Sequence, residues 1–297
     1  MQLEVSLGAS QVLLNVDIPF TGKPKWLTKP SAKQGRLIIT YDPVKKRWYA
    51  RVSVEVVLGR ECNVSLKAGI DLGRERLITA VTEPVNGSGE GVALLYRGGP
   101  LKADYYFEKK IADIDGTLSN TKSEEMDRSV LREERRKLYD KRRRRRAQLF
   151  ANLASHLARE FLKLGVSTVF IGSLLGLAQE KPGKGNTNAW SYGVLKLRLA
   201  TTFENYGIAL FELPEDGTSR TCARHGCEVQ RRPRGLVKCP HGHVMHSDLN
   251  TAMNILKRAG GKLPERVRAF SFTPTPGGII ERRGEREKTS NPAPRAR

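Results

Sequence analysis

The chain has 297 residues, enough for one large core and a smaller unit. It carries 52 Lys and Arg against 31 Asp and Glu, a formal net charge of +21, and an excess that large points to a polyanionic partner, most simply nucleic acid. No apolar run approaches about 18 residues and no signal-peptide pattern is present, so a membrane protein is not expected. The cysteines sit among histidines rather than spreading as a disulfide framework, which suits a reducing, cytoplasmic and nucleoid-associated setting.

Residues 1–63 read as a small all-β domain, wedge- or barrel-like. Two stronger strands, 35–41 and 47–58, flank the hairpin turn Asp42-Pro43-Val44-Lys45-Lys46. The basic loop residues Lys23, Lys25, Lys29 and Lys33 read as solvated, and Cys62 reads as core. Three strands follow, at 65–73, 76–81 and 92–97. Asp71 stands at the end of the first, between Ile70 and Leu72, where a carboxylate is costly unless it is paired or bound to a cation.

Residues 100–165 read as long helices. Within them Lys141, Arg142, Arg143, Arg144, Arg145 and Arg146 form an unbroken cationic run. At about 100° per residue, six cations pass more than once around a helix. A phosphate backbone would relieve their repulsion and release counterions, so nucleic-acid contact is expected here. Leu149, Phe150, Leu153, Leu157, Phe161 and Leu162 then repeat at helical spacing and read as core. A fourth strand spans 167–172 and ends on Gly172. A Gly/Lys/Asn-rich loop, Lys181–Asn188, leads to a helix over 190–206 with Tyr192, Leu195, Leu197, Leu199 and Phe203 facing inward. A fifth strand, 208–213, precedes Glu215 and Asp216. The last helix runs from Leu249 to Lys257, with Asp248 at its start.

Between the fifth strand and that helix lie Cys222-Ala223-Arg224-His225 and Cys239-Pro240-His241-Gly242-His243. The two pairs suit one tetrahedral zinc held by Cys222, His225, Cys239 and His243. Cys227 and His241 are alternatives for one of these places. The intervening loop is too poor in apolar residues to fold by itself, so a metal clip makes physical sense.

The order β-β-β, long helix, β, helix, β, helix, with an insert before the last helix, is that of a ribonuclease-H-like α/β fold. In such a sheet the ends of strands one, four and five share a rim. Acids meeting there suit two magnesium ions about 3.5–4 Å apart. The expected segments are an all-β domain at 1–63, a nuclease-like domain at 64–216 and 246–260, a zinc-binding insert at 217–245, and a basic, disordered tail at 261–297.

Gly69-Ile70-Asp71-Leu72-Gly73, Thr218-Ser219 ahead of Cys222, Cys239-Pro240, and Ser247-Asp248-Leu249-Asn250-Thr251-Ala252-Met253-Asn254-Ile255-Leu256 together resemble the TnpB (insertion-sequence OrfB) family. The resemblance covers roughly 64–260. It implies a RuvC-like domain with a zinc-ribbon insert, magnesium-dependent endonuclease activity directed by a guide RNA against target DNA, and kinship with type V CRISPR effectors. It implies Asp71 and Asp248 as catalytic acids. The family's usual second acid, a Glu at the end of strand four, is replaced here by Gly172. In some relatives a Glu at the end of strand five takes over, and Glu215 matches that place, with Glu212 and Asp216 as fallbacks. Against the family the N-terminal part is short. Two further readings share the resemblance: a nuclease-inactive, RNA-guided repressor and a transposase that joins DNA strands.

Overall fold

The computed structural model of the chain describes residues 2–5, 14–17, 33–55, 65–73, 75–99, 104–119, 125–173, 189–231, 233 and 235–282. Lys23, Lys25, Lys29, Cys62, the Lys181–Asn188 loop and residues 283–297 lie outside them. The chain divides into two compact units, Met1–Gly59 and Arg60–Arg297.

In the first unit β1 (Gln2–Val5) pairs antiparallel with β2 (Leu14–Asp17), and β3 (Lys33–Asp42) pairs with β4 (Arg47–Glu55). The β3–β4 turn forms where expected. The Asp42 carboxylate accepts hydrogen bonds from the amides of Val44 (3.0 Å) and Lys45 (3.1 Å), so the turn is fixed by its own side chain.

The second unit is built on one sheet of β5 (Leu66–Asp71), β6 (Arg76–Thr82), β7 (Glu90–Arg97), β8 (Val166–Ser173), β9 (Ala209–Pro214), β12 (Arg266–Thr275) and β13 (Gly278–Arg282). Between β9 and β12 the insert carries the short hairpin β10 (Leu236–Lys238) and β11 (Val244–His246). The order across the large sheet is β13-β12-β7-β6-β5-β8-β9. Strand β6 runs antiparallel to β5 and β7, while β8 and β9 extend the sheet in parallel from β5. This is the ribonuclease-H-like arrangement the element order predicts. Its inner strand β5 is buried from Ala68 to Asp71, as a strand covered on both faces must be.

Among the described residues α2 (Glu125–Leu164), α3 (Ala189–Asn205) and α4 (Ser247–Arg258) pack on the sheet, and α1 (Asp104–Ser119) packs along α2. On one face Leu149, Leu153, Leu157 and Phe161 of α2 join Leu195, Leu199 and Phe203 of α3 in a single core with Ile70, Ile78 and Leu94. Leu197 departs from the expected inward set. It is 69% exposed, because the buried residues repeat every four positions and 197 falls on the opposite side of the turn. The other face takes Leu249, Ala252 and Met253 of α4, packed with Val81, Ala93 and Leu95 and with Cys222, Val237 and Met245 of the insert.

The basic tail expected from residue 261 is structured as far as Arg282. Strand β12 adds in parallel to β7, and β13 folds back on it, Thr275 opposite Gly278. Pro274 is tolerated because β12 pairs with β7 only up to Phe272. Among the described residues no helix is long and apolar enough to cross a membrane.

Candidate carboxylate site and Cys/His knuckle

Three elements bring Asp71, Asp248 and Glu215 together. Asp71 is the last residue of β5. Gly69, two positions earlier and on the same face, has no room for a side chain: a Cβ there would strike the Ala252 carbonyl oxygen, with the Leu256 amide only 2.7 Å away. Helix α4 therefore lies directly on the β5 backbone, and its first turn comes down beside Asp71. His246 caps the helix, its Nδ1 accepting the Asp248 amide at 3.2 Å, so Asp248 sits inside the first turn rather than at the cap. The Ser247 hydroxyl donates to Asp248 Oδ1 at 3.1 Å. A Cβ on Gly73 would lie 3.8 Å from Asp248 Oδ2, so the two chain segments nearly touch.

Glu215 follows β9. Ile70 pairs with Ile171, which sets Gly172 level with Asp71 on the neighbouring strand. A Cβ built on Gly172 would fall on the Glu215 carboxyl. The volume left by the missing side chain of β8 is thus filled by a carboxylate arriving from β9. Pro214 pairs with Ser173, so Glu215 starts just past the end of β8 and reaches back over it.

Electrostatics reports the same convergence. Burial raises the Asp71 carboxyl well above its usual range; Asp248 and then Glu215 raise it further, while Arg231 and the Leu72 amide pull the other way. Burial pushes Glu215 up to about 7, with Lys196 opposing. Glu215 Oε1 is buried without a hydrogen-bond partner. Glu212 is engaged elsewhere, 2.6 Å from the Lys196 ammonium, and neither it nor Asp216 is among the charges acting on Asp71. A set of anionic oxygens that repel one another and leave a lone pair unused fits a hard divalent cation such as magnesium.

The Cys/His insert is folded by two tight turns. The Cys222 amide donates to the Cys227 carbonyl (2.8 Å), and the Cys239 amide donates to the His243 carbonyl (2.8 Å). Each turn needs a left-handed residue and has glycine there, Gly226 (φ 70°) and Gly242 (φ 85°). The ligand atoms of Cys222, His225, Cys227 and Cys239 all lie within 4.8 Å of one another. Cys239 Sγ is 3.2 Å from both His225 Nδ1 and Cys227 Sγ, and the His241 amide donates to it at 3.4 Å. Three thiolates and one imidazole at these separations could hold one tetrahedral zinc. Of the sequence-derived ligands, Cys222, His225 and Cys239 meet. The fourth place falls to Cys227, and the His243 ring stacks on His225 with centroids 4.6 Å apart.

Helix α4 ties the knuckle to the acids. Asn250 accepts the Ala223 amide (2.9 Å) and donates to the Thr221 carbonyl (2.8 Å). Asn254 donates to the carbonyls of Thr218 (2.7 Å) and Thr221 (2.8 Å). Lys257 donates to the Ala223 carbonyl (3.0 Å), and Arg258 to those of Pro214 and Asp216. One helix face therefore grips the segment that carries both Glu215 and Cys222.

The cationic run of α2 is partly neutralised from within. Arg146 pairs with Asp104, Arg142 with Glu108 (3.2 Å) and Arg135 with Asp115 (2.9 Å). Steps of four and seven in both helices match, so α1 lies antiparallel along α2 as a ladder of ion pairs. Arg143 and Arg144 both reach Asp140, at 2.7 Å each, yet their side chains stay 74% and 55% exposed. Lys141 is also exposed. Asp104, Glu108, Asp115 and Asp140 thus relieve part of the repulsion within the run without phosphate.

Residues 50–178 match the family model described as a probable transposase, OrfB of the IS605 type, and residues 192–255 match that of the Cas12f1-like TNB domain. The TnpB-like protein ORF457 of Acidianus two-tailed virus is 37% identical in a 277-residue alignment that covers 86% of this chain and 58% of that protein. The chain thus spans less than two thirds of that relative's length. Among solved structures, a Cas12f1–sgRNA–target DNA complex aligns with TM-score 0.46 and 15% identity over 82% of this chain and 72% of that one. Thermus thermophilus RuvC aligns with TM-score 0.29 and 14% identity over 66% of this chain and 96% of that one.

Proposed function

We propose, for a chain that belongs to the TnpB-like OrfB family, that it is a magnesium-dependent DNA endonuclease directed by a guide RNA against target DNA. The observation that carries this reading is the Glu215 carboxyl lying in the space left by Gly172, beside Asp71 and in electrostatic reach of it. That gives the rim three acids although β8 contributes none.

In this reading Asp71, Glu215 and Asp248 hold two magnesium ions. When bound, these would supply Lewis-acid activation of water and stabilisation of a leaving 3′ oxygen. Ser247 fixes the Asp248 carboxylate, and His246 accepts the Asp248 amide, in the first turn of α4. Arg231, on the loop of the insert, places a positive charge beside the acids, where a phosphodiester would need one. The exposed Lys141, Arg143 and Arg144 contact the phosphate backbone, while Arg142 and Arg146 keep their structural role in the α1–α2 ladder. Sequence selectivity comes from base pairing with the guide. Zinc on Cys222, His225, Cys227 and Cys239 is structural.

The test uses the full chain with its co-purifying RNA, single-stranded DNA and magnesium. Magnesium-dependent cleavage is expected, with a loss of about 100-fold or more in Asp71→Ala. Equal cleavage by Asp71→Ala contradicts the assignment. Binding of RNA and DNA without any product supports a nuclease-inactive protein instead.

A further inference from the structure

Thr79 is fully buried, and its hydroxyl has no hydrogen-bond partner. It stands directly across from Asp71 in the β5–β6 pairing. Residues so paired hold their Cβ atoms about 4.5–5.5 Å apart on one face of the sheet. That face is the one α4 covers, since Gly69 and Val81, each two positions along its own strand, both belong to it.

A buried hydroxyl without a partner destabilises a fold, whereas an apolar group of the same shape would not. The exception is a hydroxyl whose partner exists only in another state of the site. A bound cation provides such a state: it would turn the Asp71 carboxylate that stands opposite, whose two oxygens offer more lone pairs than the Leu72 amide meets. Resting on the reading of Asp71 as a cation ligand, we propose that Thr79 is a positioning residue: its hydroxyl donates to the cation-bound Asp71 carboxylate and fixes which oxygen faces the cation. Hydrogen bonds of this kind behind a ligand typically alter metal affinity by ~10-fold to ~100-fold when removed.

The test compares the wild type with Thr79→Val, Thr79→Ser and Asp71→Asn as nucleic-acid-free full chains. Thermal unfolding is followed across a magnesium titration, without chelator so that the Cys/His knuckle is undisturbed. The expected result has two parts. Without magnesium, Thr79→Val melts at or above the wild-type temperature. It then needs ~10-fold more magnesium for the same upward shift, and Thr79→Ser restores the wild-type curve. A wild-type titration curve for Thr79→Val, or a lower melting temperature for it without magnesium, overturns the role of Thr79 alone. A magnesium shift that survives Asp71→Asn, or none in the wild type, overturns the carboxylate-site reading and the Thr79 role with it.

Discussion

The carboxylate rim and the Cys/His knuckle lie at the two ends of one clamped segment, and they are built on opposite plans. The knuckle takes all its donors from 18 consecutive positions, Cys222 to Cys239, closed by two glycine-assisted turns. The rim takes one acid each from β5, the end of β9 and the start of α4, and without a cation those acids repel one another. A local site can be specified by spacing alone. A dispersed one depends on packing elsewhere, here Gly69 under α4 and Gly172 under Glu215. The α4 side chains Asn250, Asn254, Lys257 and Arg258 make the rim depend on the knuckle.

The largest way to break this arrangement is to strip the knuckle. Structural zinc is worth about 10–16 kcal/mol in zinc-finger peptides, as much as the whole stability of an ordinary domain. Chelation, or Cys239→Ser, is expected to abolish hydrogen-exchange protection over 217–246 and to weaken magnesium binding at the rim. Protection of β5, β6 and β7 should persist in part, because on their other face Ile70, Ile78 and Leu94 pack with α2 and α3 in a core that holds none of the knuckle's donors.

Next comes Gly69→Ala. Its Cβ meets backbone of α4, which cannot rotate aside, so a loss of about 3 kcal/mol is expected in denaturant unfolding. Gly172→Ala makes the contrast. Its Cβ meets only the movable end of Glu215, so stability should change by less than about 1 kcal/mol while cleavage falls by about 100-fold, as in Glu215→Ala. Gly172→Glu combined with Glu215→Gly, which returns the acid to β8, should recover part of that activity.

The smallest effect is on pH. Burial holds Glu215 at about 7 rather than 4.5, and Asp71 is raised as well. The folded, metal-free protein therefore retains protons that the unfolded chain releases. Its stability should fall as pH rises from about 5 through 7. Magnesium must displace those protons, so its affinity should rise over the same window, by about tenfold per unit for each proton exchanged. Calorimetric titrations at several pH values check the slope.

The same contrast explains what could be read from the residues. Strand and helix order followed from alternation and periodicity, because β5 to β8 and α2 to α4 each bury apolar residues; β9, at the edge of the sheet, has no buried residue. Three members of the Cys/His cluster followed from spacing. The fourth did not, since Cys227 and His243 both stand near a partner in the sequence until the Cys222–Cys227 turn is seen to close. Glu215 came from family resemblance, as nothing local shows that Gly172 leaves a hole. The partners of Arg142 and Arg146 were present in the sequence as matching steps of Asp104, Glu108 and Asp115, a pattern visible only once antiparallel helices are assumed. Strand β12 was obscured by the prolines, glycines and arginines around it, although Val267, Ala269 and Ser271 alternate with Arg266, Arg268 and Phe270. Thr79 carries no sequence signal at all.

The most direct test of the rim is the anomalous scattering of manganese in crystals of the full chain, since manganese takes the same oxygen ligands as magnesium. Density is expected within about 2–2.3 Å of carboxylate oxygens from Asp71, Asp248 and Glu215 together. Density bound by Asp71 and Asp248 while Glu215 points away from Gly172 would contradict it.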